Sequence, residues 1–126
     1  MSLDVYLKNS ELTHTKCICD RCGNEHNYNY HELIYTANIT HNLGKMASKA
    51  DIYQHLWRHE ELGITKAKEL IEPLTAAIQD MGNRPEYYKQ FNDENGWGMY
   101  EHFIPWLKRY LDACVKYPDS IISVSR

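Results

Sequence analysis

Leu3, Val5 and Leu7 alternate with Asp4, Tyr6 and Lys8 at the start of the chain, and Ile122 and Val124 alternate with Ser123 and Ser125 at its end. A period of two sends successive side chains to opposite faces, so both ends are expected to be half-buried strands. Between them lie two long stripes at three- and four-residue spacing. One is Ala67, Leu70, Ile71, Leu74, Ala77, Ile78 and Met81; the other is Tyr100, Phe103, Ile104, Leu107, Leu111, Cys114 and Val115. Each stripe has to be buried against another element, and strands at both ends leave one economical solution, a sheet covered on one face by helices.

The rest of the chain fills in that plan. Leu12 to Ile18 and Tyr28 to Thr36 are rich in β-branched residues and tyrosine and flank Cys-Asp-Arg-Cys-Gly-Asn, so they are expected to form a hairpin with the cysteines at its tip. From Ile39 the period changes. Ile39, Leu43, Met46, Ala47 and Ala50 predict a short amphipathic helix that runs on, with a break, through Ile52, Leu56 and Trp57. Thr65 is placed to cap the first long helix. Pro73 lies off the apolar stripe and is expected to kink that helix without breaking it, while Pro105 either kinks the second long helix or marks its first turn. Met81-Gly-Asn closes the first long helix, Pro85 opens a short one through Phe91, and Asn92 to Gly98 is a polar, glycine-containing loop. The fold class is α+β: a small, mostly antiparallel sheet of three N-terminal strands and a C-terminal strand that returns beside the first, packed on one face by amphipathic helices.

A chain of 126 residues suits one domain, here 1–126, that buries enough surface to fold without disulfides. A formal charge of −3 with scattered basic residues argues against a duplex-binding surface, which needs a concentration of Lys and Arg to neutralise phosphates. The N-terminal residues have neither a basic region nor an apolar core of signal-peptide type, and no stretch approaches a membrane span, so a cytoplasmic protein without a membrane partner is expected.

Three groups of residues could carry chemistry. Placed on a helical wheel, Asn38, Asn42, Lys45 and Lys49 form one row and His41, Gly44 and Ser48 the next, opposite Ile39, Leu43 and Met46. A glycine within such a polar stripe suggests the close approach of a ring, a backbone or a ligand. Alternatively, Asn38 or Thr40 caps the helix and His41 bonds a loop carbonyl. Asn95-Gly-Trp-Gly-Met-Tyr100 is the second group, an indole flanked by glycines at the entrance of a helix, suited to be the wall or lid of a pocket. Facing each other, the two segments would form a cleft for a small polar ligand from Asn38, Thr40, His41, Asn42, Lys45, Trp97 and Tyr100; Trp57 and Arg58 could add a further wall and anion contact, although a tryptophan at a helix end packed on the core is the stronger expectation for Trp57.

The third group, Cys17, Cys19, Cys22 and His26, offers three thiolates and an imidazole at the hairpin tip, a donor set for a structural zinc, with His14 or His31 as a substitute. Reduced free cysteines and a redox role are the alternatives. His55 and His59 stand four residues apart, but the glutamate that a zincin places between its histidines is missing. No phosphate loop, nucleophile elbow or paired-carboxylate motif is present, although Glu60-Glu61 and Glu101-His102 remain candidate acid or base groups, so catalysis is the weaker expectation.

The opening Met-Ser-Leu-Asp-Val-Tyr-Leu, the block Ala37-Asn-Ile-Thr-His-Asn-Leu-Gly-Lys-Met-Ala47, Ile64-Thr-Lys-Ala-Lys with Leu70-Ile, and Asn95-Gly-Trp-Gly98 together resemble a family of small bacteriophage and prophage proteins. The resemblance spans most of the chain. It implies a phage origin and host cytoplasm as the setting, treats the cysteine-rich tip as an insertion, and sets Pro where this chain has His59. It carries no activity. The functions compatible with all of this are sequestration of an anionic or nucleotide-like host signal as counter-defence, a small hydrolase or transferase with His41 as general base, and a protein-interaction module that inhibits a host enzyme, with or without self-association.

Overall fold

The computed structural model describes residues 2–18, 23 and 25–126, with side chains throughout these except at 13, 15–18 and 25–28. Its sheet is antiparallel and three-stranded, in the order β2-β1-β3, from β1 (Ser2–Ile18), β2 (Glu25–Thr40) and β3 (Ile121–Ser125). The returning strand lies beside the first, with Val5 opposite Val124 and Leu7 opposite Ile122. Leu3, Val5 and Leu7 are fully buried on the face that meets the helices, as the alternation required.

The three expected N-terminal strands are two. Ser2 to Lys8 and Leu12 to Ile18 are one strand because Asn9-Ser10-Glu11 loops out of it and does not turn the chain back. Lys8 pairs with Leu33 and Leu12 with His31, while the Glu11 amide donates to Asn9 Oδ1 at 3.0 Å and the His31 ring meets Asn9 O at 2.8 Å. Ile34 is the matching irregularity on β2. Leu7 pairs with Tyr35 but Lys8 with Leu33, and that slip moves Leu33 from the core side to the outer face, where it is 51% exposed.

Among the described residues the chain forms five α-helices: α1 (Gly44–Lys49), α2 (Tyr53–Trp57), α3 (Lys68–Asn83), α4 (Pro85–Lys89) and α5 (Tyr100–Lys116). The helix expected from Ile39 starts later. Ile39 belongs to β2, paired with Leu3 and buried, and the chain reaches α1 through a 3-10 turn, His41–Leu43. Period two and period 3.6 share Ile39, so spacing alone assigned it to the wrong element. The break before α2 falls at Asp51, whose φ of 58° is left-handed and stops α1.

Thr65 does not cap α3. The cap comes from inside the helix, where the Glu69 carboxylate accepts from the backbone amides of Thr65 at 2.7 Å and Lys66 at 3.0 Å, and those two donors hold its carboxyl below the usual range. Both helix-internal prolines are tolerated without a break. Pro105 falls inside the second turn of α5, on its exposed side. The core joins Leu70, Leu74 and Met81 of α3 to Phe103, Leu107, Tyr110 and Cys114 of α5 and to the inner face of the sheet. Asp80 ties α4 to α3 through a two-pronged pair with Arg84, at 3.1 and 2.6 Å, and a hydrogen bond from the buried Tyr88 hydroxyl. Burial and that bond push the Tyr88 hydroxyl up to about 12. No helix among the described residues is long and apolar enough to cross a membrane.

Candidate functional site

The end of β2 and the loop before α5 meet, and their meeting forms a cleft. Asn38 lies near the end of β2 on the outer face, and its amide donates to Asp4 Oδ1 at 2.6 Å across the strand pair. Thr40 caps the following 3-10 turn by accepting from the Asn42 amide at 3.3 Å. The turn carries His41 outward and presents Asn42 to the opposing loop. There the Asn42 side chain donates to Trp97 O at 3.0 Å, and Gly98 packs so closely that a Cβ on it would lie 2.9 Å from Asn42 Cβ.

The opposing loop is built by its own side chains. Asp93 Oδ1 accepts from the Asn95 amide and Asn95 Oδ1 from the Trp97 amide, both at 3.1 Å, while Gly96 and Gly98 take φ values of 82° and 106° that other residues avoid. Asn92 Oδ1 then accepts from the Tyr100 amide at 2.7 Å and so starts α5. The backbone at Trp97 is thus held by the loop's own side chains, and the Trp97 side chain itself is 67% exposed. The first amide of α5 is already spoken for.

The cleft between these segments measures about 1110 Å³ and is lined by Asn38, Thr40, His41, Asn42, Asn95 and Trp97 together with Met99, His102, Trp106 and Arg109 of the α5 side. Five of the seven residues expected from the sequence thus share one cavity. Lys45 and Tyr100 lie elsewhere. Lys45 Nζ sits 5.5 Å from the Phe91 ring, and the Tyr100 hydroxyl donates to Met81 O at 2.8 Å. The helical row that grouped Lys45 with Asn38 and Asn42 dissolves because Asn38 is in a strand.

Trp57 is a core residue and no wall. It is 2% exposed, stacks on Tyr53 with ring centroids 5.0 Å apart, and its indole N–H donates to His41 Nδ1 at 2.8 Å. Arg58 pairs at 3.8 Å with Glu61. The ring that approaches Gly44 is Tyr53, at 3.5 Å from where a Cβ would stand. That distance is ordinary contact, so Gly44→Ala is expected to stabilise the protein by about 0.4–1 kcal/mol through the unfolded chain. A lower thermal midpoint for this variant would show that the site needs glycine.

Arg109 and Trp106 are not singled out by the sequence, and His102 is singled out there only as an acid or base group beside Glu101. With Met99 they recur at spacings of three, four and three along α5, a second stripe beside the apolar one. Arg109 supplies the cation that Lys45 was expected to give, and it makes no ion pair among the described residues. No Asp or Glu is among the described residues that line the cleft, although acidic residues outnumber Lys and Arg in the chain. Trp106 is 4% exposed, and its indole N–H has no partner among the described residues.

No family model, curated protein or solved structure matches this chain. The cleft therefore has to be read from its own chemistry.

Cys19 and Cys22 lie outside the described residues, as do the side chains of Cys17 and His26, two residues whose backbones are opposite each other in the strand register; the zinc expectation rests on all four. Among the described residues no group of three ligating side chains converges. His59 Nδ1 meets Ile64 O at 2.8 Å. A neutral ring facing a carbonyl carries its proton on that nitrogen, so His59 is turned inward to fasten its own turn. Glu60 is engaged by Arg126 at 2.9 Å. Burial raises the Cys114 thiol to about 12, which leaves it an inert core residue.

Proposed function

We propose that this protein is a non-catalytic binder of a small anionic ligand with a flat ring, of the nucleotide type. The observation that carries the proposal is the cleft's lining: Arg109, two histidines and an exposed indole without a carboxylate among the described residues, in a chain of net charge −3. A surface that is locally positive and aromatic on a negative protein favours an anion with a planar group to stack. The resemblance to phage proteins extends the reading to sequestration of a host signal nucleotide in the cytoplasm.

Calorimetric titration with AMP, ADP-ribose and related nucleotides tests it. Arg109→Ala and Trp97→Ala are each expected to weaken binding about tenfold or more, since a charge-assisted hydrogen bond and a stacked base are each worth about 1–3 kcal/mol. Both side chains are exposed, so the thermal midpoint should hardly move. No heat from any nucleotide at millimolar concentration would overturn the proposal.

A His41-based hydrolase is the weaker reading, because the Nδ1 lone pair that would accept a proton is engaged by the Trp57 indole. An interaction module has a specific observation in its favour: Leu12, Tyr30 and Leu33 are 60%, 46% and 51% exposed on the hairpin arm. For that reading, a partner recovered from host lysate should be lost with Leu12→Ser and Leu33→Ser and kept with Trp97→Ala.

A further inference from the structure

The His41 ring and the Trp57 indole together fix where a proton sits. Indole nitrogen carries a hydrogen and has no lone pair to offer, so it can only donate. His41 Nδ1, 2.8 Å away, therefore accepts, and the proton of the neutral imidazole is on Nε2. The Nδ1 edge is turned toward a tryptophan that is 2% exposed, which directs the Nε2 edge away from the core and toward the cleft that His41 lines.

The polar groups around it are unequal in kind. The hydroxyl of Thr40 accepts from Asn42 N, Asn95 Oδ1 accepts from Trp97 N, and the Asn42 amide nitrogen is given to Trp97 O. Three groups lining the cleft can only donate: the Arg109 guanidinium, the Nε2–H of His41, and the Trp106 N–H, which is buried without a partner among the described residues; the amide oxygens of Asn38 and Asn42 and the His102 ring can accept. A buried donor left unpaired is unfavourable, and a ligand acceptor at that point would relieve it.

We propose that Trp57 is a positioning residue which locks His41 as a donor, and that His41 Nε2–H and Trp106 Nε1–H together select ligands presenting unprotonated oxygen acceptors, such as phosphate, carboxylate or carbonyl, over ligands presenting amines. The ligand preference rests on the cleft being a ligand site as proposed above; the tautomer lock does not.

The test begins without ligand. Long-range proton–nitrogen spectra of the full chain at about pH 8.5, above the ordinary histidine range, should show His41 protonated at Nε2, and Trp57→Phe should abolish that single tautomer. A proton on Nδ1 in the unaltered protein would overturn the lock. AMP titration follows. Trp57→Phe and Trp106→Phe are each expected to weaken AMP about tenfold, while His41→Gln, whose amide can still donate, stays within a few-fold and His41→Ala does not. Unchanged AMP affinity in Trp57→Phe and Trp106→Phe would overturn the donor pair while leaving the nucleotide reading intact. If the unaltered protein ignores AMP, the nucleotide reading fails, and inorganic phosphate and acetate are titrated against the His41 and Trp106 nitrogen signals. Movement with these anions and none with ethylamine supports the selection, and no movement overturns it.

Discussion

Gly98→Ala is expected to abolish the cleft while leaving most of the fold standing. At φ 106° an L side chain is strained wherever it stands, at a cost of about 1–3 kcal/mol. Here the new Cβ would also sit 2.9 Å from Asn42 Cβ and 3.2 Å from the Asn42 carbonyl carbon, and neither atom can swing away as the end of a long side chain could. The loop should lift off the 3-10 turn, breaking the bond from Asn42 to Trp97 O and separating Trp97 from His41. The expected loss is about 2–4 kcal/mol of stability together with a more than tenfold loss of AMP affinity. Gly96→Ala is the control. Its φ of 82° is also unfavourable, but nothing lies within 4 Å of the added carbon, so it should cost about 1–2 kcal/mol and keep most of the binding. Equal behaviour of the two variants in denaturant melts and titrations would show that strain alone matters and that the close approach to Asn42 does not.

The largest effect on stability is expected from Trp57→Ala. Trp57 is among the largest fully buried side chains, it stacks on Tyr53, and it joins α2 to the turn that carries His41. Truncating a buried tryptophan typically costs about 3–5 kcal/mol, since the transfer free energy is lost and the cavity collapses only in part. Against a total of about 5–15 kcal/mol for a domain, that change should leave a marginal fold, visible as a much lower midpoint in urea. Trp57→Phe keeps most of the volume and removes the donor, so it should cost far less and act mainly on His41. A loss below about 1 kcal/mol for Trp57→Ala would show that α2 contributes little to the core.

The two variants also mark how far a single sequence could be read. The Gly98 result hinges on a contact with Asn42, and the Trp57 result on a bond to His41; both join residues far apart in the chain. Sequence spacing nevertheless placed Asn38, Thr40, His41, Asn42 and Trp97 on the candidate surface, since polar residues gathered in a segment with little need of them stand out locally. Lys45 and Tyr100 fall outside the cleft for different reasons. A helical wheel begun at Asn38 places Lys45 wrongly when Asn38 and Ile39 are still in β2, while the Tyr100 hydroxyl is held by Met81 O. Arg109 was overlooked because a lone arginine on an amphipathic helix looks like any solvated charge until the helix is docked.

What the sequence determined by itself is the α+β plan: a strand at each end from alternation, two long helices from their stripes, and a polar loop at Asn92 to Gly98. These follow from local periodicity and backbone stereochemistry, which act within a few residues and need no knowledge of partners. The tertiary structure alone decided that Asn9 to Glu11 is a bulge and not a turn, that Trp57 faces His41, and that the α5 stripe of His102, Trp106 and Arg109 borders the same cleft. Hydrogen bonds and close approaches of this kind depend on where elements dock, and docking is set by the shape of the whole core, which no short window of sequence contains.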